Sequence, residues 1–143
     1  MKRKNPEAEI NECLAQLVEN LRVYEQFDRR TMKGLTVQEL HTIALIERLG
    51  KPRMSELAER GYITRGAASI MIKKLERKGF VERERDNEDL RVVMVKLTTR
   101  GEAVAREHAK YHNQLNAKVM AVMTEVEKKH LANVLRKALA VLR

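Results

Sequence analysis

The stretch that most constrains the fold is residues 63–101, where an amphipathic helical pattern is followed by two short strand patterns. The apolar residues of the helical part recur at the i, i+3, i+4, i+7 spacing of a core-facing stripe, formed by Ala68, Met71, Ile72 and Leu75. Thr64 can cap the start of this helix with its hydroxyl, and Gly79 suits the left-handed position just past its end.

The strand patterns cover residues 80–85 and 91–97, with a polar, charged turn at 86–90 between them. A basic helix followed by a charged hairpin predicts a winged helix-turn-helix. In that arrangement the helix enters a major groove, and the hairpin reaches the neighbouring backbone or minor groove of DNA. The predicted fold class is therefore mainly α with a small β-hairpin wing.

Start and stop signals divide the rest of the chain into five more helices. Pro6 opens a first helix over about 6–30, and a capping box at 36–39 opens a second that runs to about residue 49. A short third helix over about 54–60 closes at Gly61, which supplies the tight turn of the motif. Thr98 is the expected cap of a long helix after the hairpin, and a second capping box at 124–127 opens the last helix.

The first and last helices carry apolar stripes with few local partners to bury them. We therefore expect one chain, 1–143, with dimerisation helices at 6–34 and 101–143 flanking a DNA-binding region at 35–100. A two-fold homodimer would hold its two recognition helices one DNA turn apart, ~34–36 Å, which matches an inverted-repeat operator on double-stranded DNA.

The net charge of +9 is concentrated where a DNA-binding surface needs it. Residues 1–50 are balanced, with 8 basic and 8 acidic side chains, whereas residues 51–80 hold 8 basic and 3 acidic ones. An excess of cations on the helix-turn-helix can displace counterions from a phosphate backbone. The alternative interpretation is a solvated basic surface without a partner.

Composition and motifs argue against several other classes of protein. We expect no enzyme, because no nucleophile motif or phosphate-cradling glycine loop is present, and no cofactor. No apolar run approaches the ~18–20 residues that span a bilayer, and the N-terminus lacks the apolar segment of a secretory signal. With the single Cys13, which cannot form an intrachain disulfide, these features predict a cytoplasmic protein without a membrane partner.

Three motifs make this sequence resemble the MarR-type transcriptional regulators over nearly its whole length. Asp89-Leu90-Arg91 matches the D-x-R of the family's wing, residues 97–101 match its L-T-x-x-G, and residues 75–79 match the end of its recognition helix. The resemblance implies that Arg91 enters the minor groove and that Asp89 helps to hold the wing turn. Ile70 departs from the family, since many members carry a basic residue there, and it can offer only an apolar contact such as one to a thymine methyl.

The residues expected at DNA therefore fall into two groups. The major-groove group comprises Arg65, Gly66, Ser69, Ile70 and Lys73 on the recognition helix. The supporting group comprises Lys51, Arg53 and Thr64 as phosphate contacts, with Asp89 and Arg91 in the wing.

Further short matches, at residues 10–12, 39–43, 75–79, 81–83 and 91–93, resemble the repressors of fatty-acid-synthesis genes in low-GC Gram-positive bacteria. That resemblance implies long-chain acyl groups on acyl carrier protein as the corepressor. We expect the ligand between the dimer helices and the winged domain, in a pocket formed by Tyr24, His41, His108 and His112. It would act by favouring one spacing of the two recognition helices.

Other interpretations remain open at this point. Three imidazoles, those of His41, His108 and His112, could ligate zinc in a zinc-responsive repressor. They are also explained as polar groups satisfied at a helix junction, and no metal site is assigned. A regulator of the same family could respond instead to a small aromatic or phenolic ligand. A protein-interaction module with a winged-helix shape would have no DNA role at all.

Overall fold

The computed structural model describes residues 5–31, 34–86, 89 and 91–141, with the backbone alone for 23–31. These residues form six helices and one antiparallel hairpin, which confirms the predicted fold class. The elements are α1 Pro6–Thr31, α2 Val37–Leu49, α3 Met54–Arg60, α4 Arg65–Arg77, β1 Val81–Arg85, β2 Val93–Leu97, α5 Thr99–Ala121 and α6 Glu125–Val141. The chain divides into two compact units, Met1–His108 and Ala109–Arg143, and the predicted functional boundaries at 35 and 101 stay predictions.

The core of the first unit gathers the apolar faces of α2, α3 and α4 against the hairpin and the start of α5. Its fully buried side chains include Ile43 on α2, Leu57 on α3, Ile72 on α4 and Val95 on β2. The predicted stripe of α4 is confirmed, because Ala68, Ile72 and Leu75 are buried and Met71 packs against the cluster. One face of α4 is thus fixed by the core and the other is left for solvent or a partner.

Both predicted capping boxes are present. Thr36 accepts a hydrogen bond from the Glu39 amide while the Glu39 carboxylate accepts one from the Thr36 amide, at 3.2 and 2.7 Å. Thr124 and Glu127 repeat the pattern at the start of α6. Each box satisfies backbone donors that the first helical turn leaves without an intrahelical partner.

In the turn between α3 and α4, one residue lacks space for a side chain and the next has a left-handed backbone. Gly61 closes α3, as predicted, and a Cβ there would lie 2.8 Å from the Leu57 carbonyl oxygen. The left-handed backbone of this turn falls on Tyr62, with φ of 52°, where a residue other than glycine is strained. Tyr62 is also 79% exposed, so no burial of its ring offsets that strain.

The wing is a two-stranded hairpin joined to the α2–α3 connection. The register runs from Val81 opposite Leu97 to Arg85 opposite Val93. The Val95 amide donates to the Pro52 carbonyl at 2.9 Å, and Arg53 forms an isolated bridge with Met94. The strands are one or two residues shorter than predicted, because residue 80 is a buried residue of the preceding turn and residue 91 belongs to the wing turn.

The start of α5 is locked against the end of α4. Thr98 accepts a hydrogen bond from the Gly101 amide at 3.1 Å, which confirms it as the cap of this helix. Gly101 is buried, and a Cβ on it would lie 2.1 Å from the Phe80 carbonyl oxygen. Any other residue at this position would force the two segments apart.

The terminal helices keep their apolar side chains at the surface. On α1 they are 40–57% exposed at Ile10, Leu14, Leu17, Val18 and Leu21. No residue of α6 is buried within Glu125–Val141. The apolar pattern of the sequence also includes Tyr24 and Phe27 in α1, whose side chains are not described, and Leu142, which lies outside the described residues. Across the described part of the chain, no helix has both the length and the apolar character needed to cross a bilayer.

Candidate nucleic-acid interface

The exposed face of α4 carries the residues predicted to read DNA. Thr64 caps the helix by accepting a hydrogen bond from the Ala67 amide at 3.1 Å. Arg65, Gly66 and Lys73 are exposed, Ile70 is 70% exposed, and Ser69 is half-buried at the edge of the face. The helix therefore presents two cations, a glycine and a bare apolar side chain on one surface.

Gly66 has no structural neighbour that excludes a side chain. The nearest atom to an added Cβ outside the local helix is the Thr64 hydroxyl oxygen, at 3.9 Å. Glycine inside a helix costs roughly 0.5–1 kcal/mol relative to alanine. The fold would therefore accept a larger residue here, and the glycine leaves room for a close approach to the start of α4 from outside.

The tip of the wing is organised by Asp89. Its carboxylate accepts a hydrogen bond from the Arg91 amide at 3.0 Å, and its own amide donates to the Asp86 carboxylate at 3.4 Å. The Val92 amide donates to the Asp89 carbonyl at 2.9 Å. These bonds hold Arg91 at the tip with its side chain exposed. Positions 87, 88 and 90 of the predicted turn lie outside the described residues.

The cations beside α4 differ in how far they are already paired. Lys51 lies 2.8 Å from the Glu84 carboxylate on β1, and this contact holds the pKa of Glu84 below its ordinary value. Arg53 is exposed at the start of α3. By contrast, Arg65 and Lys73 form no ion pair with any side chain in the described ranges. A phosphate would therefore have to compete with Glu84 for Lys51 but not for Arg65 or Lys73.

A buried carboxylate at the start of α2 was not predicted from the sequence beyond its capping box. The side chain of Glu39 is fully buried and lies 2.8 Å from Lys78 and 3.3 Å from Lys74, both on the α4 segment. Burial opposes the ionisation of Glu39, but the hydrogen bonds from Lys78, the Thr36 amide and Lys74 outweigh it and lower its pKa to about 2. Two of the basic residues that follow Lys73 are therefore already paired with a buried carboxylate, although the side chain of Lys74 is 45% exposed and that of Lys78 is 32% exposed.

A cavity of about 470 Å³ opens beside α2, within the first unit. Its lining combines apolar and cationic side chains, among them His41, Leu45, Arg48, Arg60, Ile63 and Met71. The His41 ring also lies 5.9 Å from the His108 ring, measured between centroids, and His108 is buried. The two histidines predicted for the ligand pocket in this unit are thus neighbours, and one of them lines the cavity.

The other two predicted pocket residues are placed differently. The side chain of Tyr24 is not described. His112 belongs to the second unit, where its ring contacts that of Tyr111 edge-on at 6.3 Å. Among the described residues, no group of three or more His, Cys, Asp or Glu side chains is arranged to hold a metal ion. The four-residue pocket and the zinc alternative both stay predictions.

A surface-exposed helix with a buried opposite face, followed by a two-stranded wing, defines the class of winged helix-turn-helix proteins. The MarR family model matches residues 35–93, which span α2 to the start of β2. HTH-type transcriptional regulator BilQ of Clostridium symbiosum is 30% identical over 106 residues, covering 73% of this chain and 73% of the relative. HTH-type transcriptional repressor MdtR of Bacillus subtilis is 26% identical over 113 residues, covering 79% of this chain and 73% of the relative.

Among solved structures, Streptococcus pneumoniae FabT in complex with DNA aligns with a TM-score of 0.87 at 30% identity, covering 94% of this chain and 96% of that chain. A MarR family protein from Bacillus stearothermophilus shares the fold with a TM-score of 0.79 at 21% identity, covering 99% of each chain. The chain belongs to the MarR family and is a transcriptional regulator.

Proposed function

We propose that the protein is a dimeric, sequence-specific repressor that binds an inverted-repeat operator and responds to a ligand. The observation that carries this proposal is the exposed face of α4. Arg65 and Lys73 offer cations there that form no ion pair with the described side chains, Gly66 allows close approach, and Ile70 offers a methyl contact. Arg91 at the wing tip is the proposed minor-groove contact. The likeness to FabT, solved in complex with DNA, supports this assignment.

Within the interface, we separate the residues that select bases from those that bind phosphate or hold the wing. Ser69, Ile70 and Lys73 face the major groove and select bases. Thr64, Arg53 and Lys51 bind phosphate, which fixes register without reading sequence. Asp89 contributes by holding the backbone of Arg91. Two protomers, associated through the exposed apolar faces of α1 and α6, place two such interfaces on one operator.

The effector is proposed to be a long-chain acyl group carried on acyl carrier protein, which tightens operator binding. This finer proposal rests on the resemblance of the sequence to fatty-acid-synthesis repressors. The cavity beside α2 is lined by His41 and by the buried Leu45, with His108 close by, and it offers a space of mixed apolar and cationic lining near the α4 segment. A ligand there acts on DNA affinity only through a difference in its binding to two spacings of the recognition helices.

Fluorescence anisotropy on a labelled fatty-acid-gene promoter duplex tests both parts of the proposal. A scrambled duplex is the control, and each titration is run with and without long-chain acyl carrier protein. Specific binding that tightens with the acyl group is the expected result. Specific binding without any response removes the acyl effector, and equal binding to both duplexes removes the sequence-specific repressor.

The Arg91→Ala variant tests the wing assignment at matched salt. Loss of a minor-groove arginine should weaken operator binding by about 10-fold and lower the slope of log K against log salt by up to about 0.9. Lys137→Ala, which removes the same charge from an exposed site on α6, should leave both quantities unchanged. An Arg91→Ala variant with wild-type affinity would place the wing away from DNA.

A further inference from the structure

Lys78, the C-cap residue of α4, joins three segments of the chain. Its ammonium donates to the Gly34 carbonyl at 2.7 Å and to the two carboxylate oxygens of Glu39 at 2.8 and 2.9 Å. Gly34 lies between α1 and α2, and Glu39 is in the first turn of α2. One side chain thus ties the end of α4 to the connection that follows α1.

The backbone of the same segment is held from the opposite direction by the start of α5. The Lys78 carbonyl accepts a hydrogen bond from the Arg100 guanidinium at 3.0 Å, and the Gly79 carbonyl accepts one from the Thr98 hydroxyl at 2.7 Å. The Arg100 guanidinium also stacks over the Phe80 ring, 4.4 Å from its centroid. The end of α4 is therefore clamped between the segment after α1 and the segment that begins α5.

The burial of Glu39 favours a paired lysine, and Lys78 is the closer of its two lysine partners. A fully buried carboxylate is tolerated only when it is paired and hydrogen-bonded. Lys78 makes the shorter contact, and its side chain is 32% exposed against 45% for Lys74. A lysine held in this way cannot turn outward to a phosphate without leaving Glu39 short of a partner. The charge of Lys78 therefore serves the attachment of α4 and not the DNA backbone.

We propose that Lys78 is a positioning residue for DNA recognition, which sets the orientation of α4 relative to the connection after α1 and the start of α5 without contacting DNA. The proposal rests on the proposed function, since it assumes that α4 reads an operator. Beyond that function, the proposal identifies Lys78 as the residue that orients α4. A small rotation of α4 would move Ser69, Ile70 and Lys73 together with respect to the bases.

The test compares operator and scrambled duplexes for the double variant Glu39→Gln/Lys78→Met. Removing both charges avoids leaving a buried carboxylate without its lysine, and the glutamine side chain can still complete the capping box with Thr36. Circular dichroism and urea unfolding establish the temperature at which both proteins are fully folded, and binding is measured there. Lys78→Arg, which keeps the charge and can keep both hydrogen bonds, is the rescue variant.

Lys74→Met is the matched control, because it removes one positive charge from the same helix and leaves the contact between Lys78 and Gly34 intact. We expect the double variant to lose about tenfold in operator affinity, the order of one lost base-pair contact. Its affinity for the scrambled duplex and its salt slope should stay at the wild-type values. Lys78→Arg and Lys74→Met should both bind the operator within about twofold of the wild type.

Three results would overturn the proposal. A folded double variant with wild-type operator affinity would make the contact purely structural. A salt slope lowered by about 0.9, with equal losses on both duplexes, would make Lys78 a direct phosphate contact. Equal losses in Lys74→Met would mean that Lys78 has no particular role in orienting α4. Failure of the proposed function is visible separately, because the wild-type protein would then not distinguish the operator from the scrambled duplex.

Discussion

The winged-helix region and the terminal helices carry the same kind of apolar periodicity, but they differ in whether the apolar side chains are buried. In α2 and α4 the stripe is buried within the chain, with Ile43 0% and Ile72 1% exposed. In α1 and α6 it remains at the surface, with Leu14 54% and Val134 59% exposed. An apolar stripe therefore indicates that a helix needs a partner surface. It does not indicate whether that surface lies in the same chain or in another one.

The largest expected effect comes from breaking the proposed dimer at α6. Leu135→Glu places a charge on the exposed apolar face of this helix, where Leu135 is 51% exposed. If that face is buried between two copies, the variant should sediment as a monomer. Its operator affinity should fall by about 10³-fold, towards the range of non-specific binding, because each monomer holds only one half-site.

Lys137→Glu is the control for this substitution, because it also adds negative charge to α6 but replaces a side chain that is already charged and exposed. It should leave the sedimentation coefficient at the wild-type value. A Leu135→Glu variant that remains dimeric would show that the apolar face of α6 is not the dimer interface.

A matched pair on α4 sharpens the contrast between a buried and an exposed apolar residue. Ile72→Ala should lower the free energy of unfolding by about 2–5 kcal/mol, because it leaves a cavity in the core. Ile70→Ala, at a residue that is 70% exposed, should change it by no more than about 0.5 kcal/mol. Urea denaturation measures both.

In operator selectivity the exposed residue of this pair, Ile70, should matter more than the buried one. Ile70→Ala removes the proposed methyl contact and should reduce discrimination of the preferred base pair, measured by competition between operator variants, by about 1 kcal/mol. Unchanged selectivity would mean that the exposed isoleucine does not touch a base.

Acid should weaken the attachment of α4 through Glu39. The pKa of this carboxyl is lowered from 4.5 to about 2 in the folded protein, so its contribution is complete above pH 4.5 and is lost as the pH falls towards 2. The shift corresponds to roughly 3 kcal/mol. Urea unfolding measures the free energy of unfolding at pH 5 and at pH 2. Between these two pH values Glu39→Gln should lose less of it than the wild-type protein, and the difference should be about this amount. An equal loss in both proteins would mean that Glu39 titrates normally.

A small gain in stability is expected at Gly66. Gly66→Ala should raise the free energy of unfolding by about 0.5–1 kcal/mol, because alanine is the better helix former and the added Cβ meets open space. Operator affinity should nevertheless fall, because the new methyl group obstructs close approach to DNA. Opposite signs in the two assays would identify the glycine as a residue kept for binding; tighter binding would contradict that role.

The sequence was sufficient for features whose partners lie close along the chain. The capping boxes at Thr36 and Thr124, the stripe of α4 and the left-handed Gly79 (φ 75°) all depend on residues within one or two helical turns. These local signals also placed Arg65, Ile70 and Lys73 on the exposed side of α4. The wing motif placed Asp89 and Arg91 at the turn.

Contacts between distant segments were not predictable in the same way. Glu39 and Lys78 are 39 positions apart, and each looks like an ordinary surface charge within its own helix. The count of basic residues in 51–80 therefore included Lys74 and Lys78, although both contact a buried carboxylate. The left-handed Tyr62 was missed because the neighbouring glycine is the more typical residue for such a turn.

The absence of space at Gly101 has a consequence for mutational surveys of this protein. A side chain there would collide with the Phe80 carbonyl oxygen, so in a saturation library almost every substitution at position 101 should abolish the proposed repression. Selection data alone would then rank this glycine with Arg91, although it lies inside the protein. A parallel screen for protein abundance would separate the two, since variants at 101 would be degraded and variants at 91 would accumulate.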